Sequence, residues 1–451
     1  MARLFGTDGV RGVAGVALTA KLALELGAAA AEVLTESSSN NGVKKPLVVI
    51  GKDTRISSDM LESALAAGIC SAGADVLLLG TIPTPAVAYL IGELHADAGV
   101  MISASHNPFG DNGIKIFGSD GCKLPDEVED MIEARMGAGL APRTGNTIGR
   151  VRTERHAVER YVKHLQSCAQ NDLRGLRVLV DCANGAASVT SHELFDGFKA
   201  EVDIIADQPN GVNINLDCGS THLDRLSKLV VAGGYDVGVA FDGDADRCLV
   251  VTEKGETVDG DHIMAIVGRD MKRKGLLKND TIVATVMSNL GFHQYAKAND
   301  LKVITAAVGD RYVLEEMKKG GYNLGGEQSG HLIFLDDATT GDGELTAIKY
   351  LGILAASGGK ASDLDSEIGH FPQLLKNVRV PNELKHTLAE VPSVKTAIDE
   401  AEAMLGEGRI LVRPSGTEPL VRVMTEGFDE DVVIRACDHV VKALEALNSA
   451  E

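Results

Sequence analysis

Three times along this chain a short run of branched aliphatic residues leads into a helical stretch and then into a second aliphatic run. That recurrence limits the fold more than any other feature. Leu47–Ile50, a helix over Asp59–Ala72 and Val76–Leu79 make the first unit; Arg177–Asp181, a helix over Ser188–Phe198 and Val202–Ile205 the second; Thr281–Thr285, a helix near Phe292–Asn299 and Lys302–Thr305 the third. Strand, helix, strand in this order predicts a parallel pair covered by its crossover helix, so three related α/β domains are expected. Ahead of the first unit lie a helix from Thr19, an N-cap type, to about Leu34 and a Ser/Asn/Gly linker over Ser37–Gly42. Beyond Phe371 the order changes to a strand at Lys376–Val380, a helix at Val394–Leu405, strands at Ile410–Arg413 and Leu420–Met424 and a closing helix at Val432–Ala446. This predicts a smaller C-terminal α+β domain. The expected domains are 1–160, 161–258, 259–372 and 373–451, divided at Pro- or charge-rich connections.

Composition agrees and narrows the partners. At 451 residues the chain exceeds what one core supports. Fifty glycines and 4% aromatics suit tight turns and closely packed helices. The net charge of −20, from 44 Lys+Arg against 64 Asp+Glu, argues against broad binding to nucleic acid or to an anionic membrane. An anionic small substrate remains compatible, provided a basic or metal-lined pocket is set into the acidic body. The seven cysteines are odd in number and include no CxxC pair, which points to reduced thiols in the cytoplasm and away from a structural zinc site. No apolar signal core opens the chain and no run approaches the ~18 residues of a membrane span.

Four polar loops each follow an apolar run. After Ala98–Ile102 come Ser103-Ala104-Ser105-His106-Asn107-Pro108 and then Asp111 to Lys115. Ser105 at a strand's carboxyl end is either a capping serine or a reactive hydroxyl. His106 would point away from it in extended chain, so a protease-like triad is not indicated; a phosphoryl group carried on the hydroxyl fits the nearby lysine and amides. After Val237–Ala240 come Asp242-Gly243-Asp244-Ala245-Asp246-Arg247. Carboxylates at alternate positions of extended chain share one side and repel unless a hard divalent cation binds. The EF-hand alternative fails, because Arg247 stands where glycine is required and a strand leads in; a solvated acidic turn is the bland alternative. The third loop, Gly325-Gly326-Glu327-Gln328-Ser329-Gly330-His331, offers a hydrogen-bonding set for a polyhydroxylated ligand. The fourth, Arg413-Pro414-Ser415-Gly416-Thr417-Glu418-Pro419, reads as a phosphate cradle, with Arg422 as a second guanidinium. It lacks a Walker ending.

Together, in this order and spacing, the four loops resemble the α-D-phosphohexomutase family from Phe5 to Arg422. Within it, the opening FGTDGVRG and the form GEQSGH are similar to the bacterial branch acting on glucosamine phosphates; the phosphomannomutase/phosphoglucomutase branch tends to carry methionine where Gln328 stands. The resemblance implies four domains around a central cleft. It also implies interconversion of glucosamine 6-phosphate and 1-phosphate through a phosphoserine at Ser105, with Mg²⁺ held by Ser105, Asp242, Asp244 and Asp246. A sugar 1,6-bisphosphate would be intermediate and activator. Glu327 and Ser329 would bind sugar hydroxyls; Arg413, Ser415, Gly416, Thr417 and Arg422 the distant phosphate; Arg11, Lys115, Arg247 and His331 would move protons or stabilise charge. A dimer is implied as well. Gly110 departs from the family's bulkier residue, and the Ser37–Gly42 linker is longer than the family needs. Alternatives are a mutase preferring glucose or mannose phosphates, a phosphatase, and a silent sugar-phosphate-binding protein.

Overall fold

The computed structural model describes residues 3–6, 8–39, 45–138, 143–380, 391–414 and 420–448. The chain forms two compact units, Met1–Val286 with Leu301–Ser366, and Met287–Asp300 with Glu367–Glu451. The larger unit holds three sheets. The first contains β1 (Val10–Val13), β2 (Leu47–Lys52), β3 (Asp75–Thr81), β4 (Ala98–Ile102), β5 (Asp111–Phe117) and β6 (Val151–Thr153), in the order β1-β5-β4-β2-β3-β6. The second contains β7 (Arg177–Asp181), β8 (Glu201–Ile205), β9 (Val237–Phe241), β10 (Cys248–Thr252) and β11 (Thr257–Val258), in the order β11-β10-β9-β7-β8. The third contains β12 (Thr281–Thr285), β13 (Lys302–Ala306), β14 (Leu324–Gly326) and β15 (Leu332–Phe334), in the order β13-β12-β14-β15.

One plan underlies all three. Three parallel strands lie in the spatial order second, first, third, and a fourth runs antiparallel beside the third: β3-β2-β4-β5, β8-β7-β9-β10 and β13-β12-β14-β15. Every residue of β4 and of β9 is buried. Helices cover both faces of a parallel sheet, so its inner strands read as unbroken apolar runs rather than as alternation. The turn from third to fourth strand occupies the same topological point each time, and it carries in succession the serine, acidic and glycine-rich loops.

The C-terminal unit has an antiparallel sheet, β16 (Gln373–Arg379), β17 (Arg409–Pro414) and β18 (Leu420–Glu426), in the order β16-β18-β17. Helices Pro392–Leu405 and Glu430–Asn448 cover it with Val394, Ala397 and Ala401 facing Val433, Ala436 and Val440, spacings of three and four that put each set on one face. The fold is therefore three related α/β domains plus a small α+β domain.

Several sequence expectations shift. The first helix runs Ala20–Ser39, so Ser37–Ser39 of the expected linker are helical; positions 40–42 lie outside the described residues. Thr19 does cap it, accepting from the Leu22 N–H at 3.2 Å. Asp111–Phe117, read as loop up to Lys115, is a strand paired on both edges, to β1 and β4. The Ser188–Phe198 helix is a 3-10 turn, Ala186–Val189, followed by a short helix, Ser191–Asp196. The helix after β12, Leu290–Ala298, groups with the C-terminal unit, where Glu426 of β18 accepts from its Leu290 N–H at 2.8 Å. Position 160 lies within the helix Ala157–Cys168.

Candidate active site

Ser105 leaves the end of β4 in the left-handed region, at φ 53°. That region is costly for a residue with a Cβ and persists only where surroundings enforce it. The turn drops the serine into the protein, 1% exposed, where its hydroxyl donates to Asp242 Oδ2. It also brings His106 Nδ1 to 3.4 Å from Ser105 Oγ, which corrects the expectation that His106 points away: the expectation assumed extended backbone. Burial, with the Arg247 and Arg11 charges adding to it, lowers the His106 imidazole to about 4, so the ring is neutral near pH 7.

The acidic loop does not present its carboxylates by strand alternation, as the sequence alone implied. Residues 243–246 form a turn and bend, with Ala245 left-handed at φ 56°, and the loop converges Asp242, Asp244 and Asp246 until one oxygen from each lies within 4.8 Å of the others. Gly243 is required by contact: a Cβ there would sit 2.6 Å from the Ser105 carbonyl oxygen and 2.8 Å from Ile214. The serine and acidic loops thus pack main chain against main chain. Burial first, then the Asp246 and Asp244 charges, raises the Asp242 carboxyl well above the usual range. Asp246 goes the other way. Burial would raise it, but Lys115, His331 and Arg247 outweigh that and hold it at about 2. Asp244 Oδ1 and Asp246 Oδ1 are buried with no hydrogen-bond partner among the described residues. Unpaired buried carboxylate oxygens are expensive; three converging carboxylates and a serine oxygen form a donor set that fits a hard divalent cation.

Three basic side chains lie in or beside this cluster. Lys115, on β5 and 1% exposed, lies 2.8 Å from Asp244 Oδ2, 3.3 Å from Asp246 Oδ2 and 3.3 Å from Asp8 Oδ2. Burial would lower its pKa, but Asp244, Asp8 and Asp246 raise it well above its ordinary value. Arg247 stands 3.8 Å from Asp246. Arg11 donates to Asp8 and, at 3.4 Å, to the Ala104 carbonyl at the base of the serine loop.

The glycine-rich loop meets the same cluster. His331 is 3% exposed, with Nε2 3.6 Å from Asp310 Oδ2 and 4.0 Å from Asp246 Oδ2. Gly341 must be glycine here, since a Cβ would fall 2.4 Å from the imidazole ring. Glu327 accepts from the Gly309 N–H at 3.0 Å and from the Ser329 hydroxyl at 3.4 Å. Gln328 turns aside, donating to Asp259 at 3.1 Å. Arg413 and Arg422 belong to the C-terminal unit, directly opposite each other on β17 and β18; Ser415, Gly416 and Thr417 lie outside the described residues.

The structure adds residues that sequence reasoning missed. Thr84 binds the acidic loop through its N–H to the Asp244 carbonyl, 2.9 Å, and through its hydroxyl to Asp244 Oδ2, 2.5 Å. Lys123 lies between Asp8 and Asp310, the latter at 2.6 Å, and so joins the first domain to the start of the helix Asp310–Gly320, beside His331. Asp8 lies inside the opening FGTDGVRG, beside Arg11.

Comparison with known proteins places this arrangement. The chain matches the phosphoglucomutase/phosphomannomutase α/β/α domain I over residues 2–142, domain II over 159–255, domain III over 259–370 and the C-terminal domain over 375–443. It is 54% identical over 448 residues to the phosphoglucosamine mutase of Thermoanaerobacter sp. (strain X514), with 99% of each chain covered. Among solved structures, a phosphoglucomutase/phosphomannomutase family protein from Burkholderia thailandensis shares the fold at a TM-score of 0.81 and 22% identity, covering 99% of this chain and 98% of that one. The Aspergillus fumigatus N-acetylphosphoglucosamine mutase, solved with GlcNAc-6P and magnesium, shares it at 0.68 and 17%, covering 98% and 96%. With all four domains matched and half the sequence shared end to end, the chain belongs to the phosphoglucomutase/phosphomannomutase family, the α-D-phosphohexomutases.

Proposed function

We propose that this enzyme interconverts glucosamine 6-phosphate and glucosamine 1-phosphate and so feeds UDP-N-acetylglucosamine synthesis. One observation carries the mechanism: a buried serine hydroxyl bonded to one of three converging aspartates, with Lys115 and Arg247 against the same aspartates. The preference for glucosamine rests on end-to-end similarity to a protein of that name.

In this reading Ser105 carries the phosphoryl group. Its Oγ–P bond breaks as a sugar hydroxyl bonds to phosphorus, giving glucosamine 1,6-bisphosphate; the bisphosphate then turns and returns its other phosphate to Ser105. Phosphoryl transfer needs positioning and charge neutralisation more than covalent participation. A phosphoserine brings roughly −1.5 to −2 of charge beside three aspartates. Asp242, Asp244, Asp246 and a Ser105 oxygen are the set proposed to hold Mg²⁺, which when bound supplies the neutralising charge. Lys115, Arg247 and Arg11 add fixed positive charge, and His331 is proposed to exchange the sugar hydroxyl's proton. Glu327 and Ser329 are proposed to hold sugar hydroxyls. Arg413, Arg422 and positions 415–417 are assigned to the non-reacting phosphate on the family resemblance alone, as are a dimeric state and a cytoplasmic location.

The test is turnover of glucosamine 6-phosphate against glucose and mannose 1-phosphates, with Mg²⁺ and a hexose 1,6-bisphosphate present. Faster turnover of the glucosamine substrate is expected; equal or better rates on the others would overturn the specificity, and inorganic phosphate as main product would indicate a phosphatase.

A further inference from the structure

Arg55 belongs to none of the four loops, yet among the described residues it heads the fully buried side chains by volume. Every N–H of its guanidinium is used. Nε donates to Asp53 Oδ2 at 2.8 Å, Nη1 to the carbonyls of Pro108 and, at 3.1 Å, Asp111, and Nη2 to those of Ser105 at 2.9 Å and Asn107 at 2.8 Å. The serine loop is therefore wound around one buried cation. Asp53 completes the device: its Oδ2 also accepts from the Ser103 hydroxyl at 2.7 Å, and Ser103 Oγ accepts from the Ser105 N–H at 2.9 Å. One ion pair thus holds both sides of Ser105, the carbonyl directly and the amide through Ser103. Asn215, from the second domain, donates to the same two carbonyls, Ser105 at 2.9 Å and Asn107 at 3.2 Å.

These bonds converge on the residue whose backbone is least able to hold itself, Ser105 at φ 53°. We infer that Arg55 is a positioning residue for phosphoryl transfer, fixing the left-handed turn that aims Ser105 Oγ at Asp242. It reaches only loop carbonyls and Asp53. The planar fork matters, because an ammonium cannot address four carbonyls and a carboxylate from one plane. The inference rests on Ser105 being the phosphoryl carrier.

The experiment compares full-length wild type, Arg55→Ala and Arg55→Lys for kcat and KM on glucosamine 6-phosphate. A misplacement on the order of 1 Å costs about 100-fold in rate, so Arg55→Ala should lose about that factor in kcat with KM nearly unchanged. Millimolar guanidinium should refill the vacated site and recover part of the loss, whereas equal sodium chloride should not. Arg55→Lys, which keeps the charge and leaves no guanidinium-sized space, should lose about tenfold and gain nothing from guanidinium. Wild-type kcat in Arg55→Lys, a defect confined to KM, or a folded Arg55→Ala indifferent to guanidinium would each overturn the inference; if Arg55→Ala does not fold, Arg55→Lys decides. A wild type active only on another hexose phosphate sinks the glucosamine reading and leaves this comparison to be run on that substrate. A wild type that never carries phosphate on Ser105 removes both.

Discussion

Glu344 should make the stability of the fold depend on pH. It opens the helix Gly343–Ser357, whose first N–H, on Gly343, donates to the Ala245 carbonyl of the acidic loop at 2.9 Å. Its carboxyl is buried; Oε1 accepts from the Thr190 hydroxyl at 2.7 Å and the Ser191 hydroxyl at 3.0 Å, and Oε2 has no hydrogen-bond partner among the described residues. Burial raises this carboxyl to about 8 from an ordinary 4.5; the Thr190 and Ser191 bonds oppose the rise and the Asp342 charge adds to it. The sign follows. Between those two values the folded chain keeps a proton that the unfolded chain has released, so stability is highest below the lower value, falls as pH rises, and levels off above the upper one. At about 1.4 kcal/mol per pH unit, the gap corresponds to a loss of order 5 kcal/mol across the window. Glu344→Gln removes the titration and keeps an oxygen for the two hydroxyls. Its amide N–H groups meet no partner at the Oε2 side, a cost of about 1–3 kcal/mol that does not depend on pH. The variant should therefore melt below wild type near pH 5 and overtake it toward pH 9. Thermal unfolding followed by circular dichroism at intervals across that range is the assay. Asp342, which burial raises to about 6, titrates in both proteins, so the difference between them reports Glu344 together with its coupling to Asp342. Parallel curves would refute the reasoning.

Ser105→Ala should abolish turnover and remove any phosphorylated fraction from the intact mass; a phosphorylated, active variant would require another carrier. Chelation should stop turnover and added Mg²⁺ restore it, and Mg²⁺ at about 100 times its Kd should stabilise the fold by about 2.7 kcal/mol; a melting temperature indifferent to Mg²⁺ would count against the three-aspartate site. Lys123→Met leaves Asp8 and Asp310 facing each other without their shared cation, so it should destabilise by roughly 1–3 kcal/mol, less than a fully buried pair because all three side chains keep some exposure, and lower kcat as well; unchanged urea stability would show that the bridge is not formed in solution. Arg413→Ala should raise KM more than it lowers kcat, and a pure kcat effect would contradict a role in holding the non-reacting phosphate.

The serine, acidic and glycine-rich loops are legible in the sequence for a physical reason. Each interrupts a strand buried on both faces, so a run such as Val237-Gly238-Val239-Ala240-Phe241 passes abruptly into Asp242-Gly243-Asp244. Backbone conformation is less legible. Nothing in the letters around Ser105 or Ala245 signals positive φ, since the preference of those residues is against it; at Ser105 the turn is held from outside, by Arg55 and Asn215 donating to its carbonyl. The strand through Lys115 is hidden in the sequence for a related reason. A charged residue within Asp111–Phe117 does not look like part of a buried strand until Asp244, Asp246 and Asp8 are there to receive it.

Charged residues far apart in the chain are the least legible of all, and they hold the site together. Lys123, Asp8 and Asp310 are ordinary surface types with no periodic signal, and their meaning exists only after the sheets assemble. The repeated sheet plan explains why such contacts are needed. It delivers one loop from each domain to the same topological point, at the carboxyl end of the third strand, where open parallel sheets place ligands. Repetition alone does not fix the distance between a serine on one sheet and aspartates on another. That distance is set by contacts that cross between domains: Lys115 to Asp244, Thr84 to Asp244, Asn215 to Ser105 and Gly343 to Ala245. Each joins a residue in or beside one loop to another domain. Substitutions at these crossing points should therefore lower kcat before they weaken sugar binding, because they separate the serine from the aspartates while leaving the Glu327 loop in place; a substitution such as Thr84→Val that raises KM and spares kcat would show that the spacing is set elsewhere.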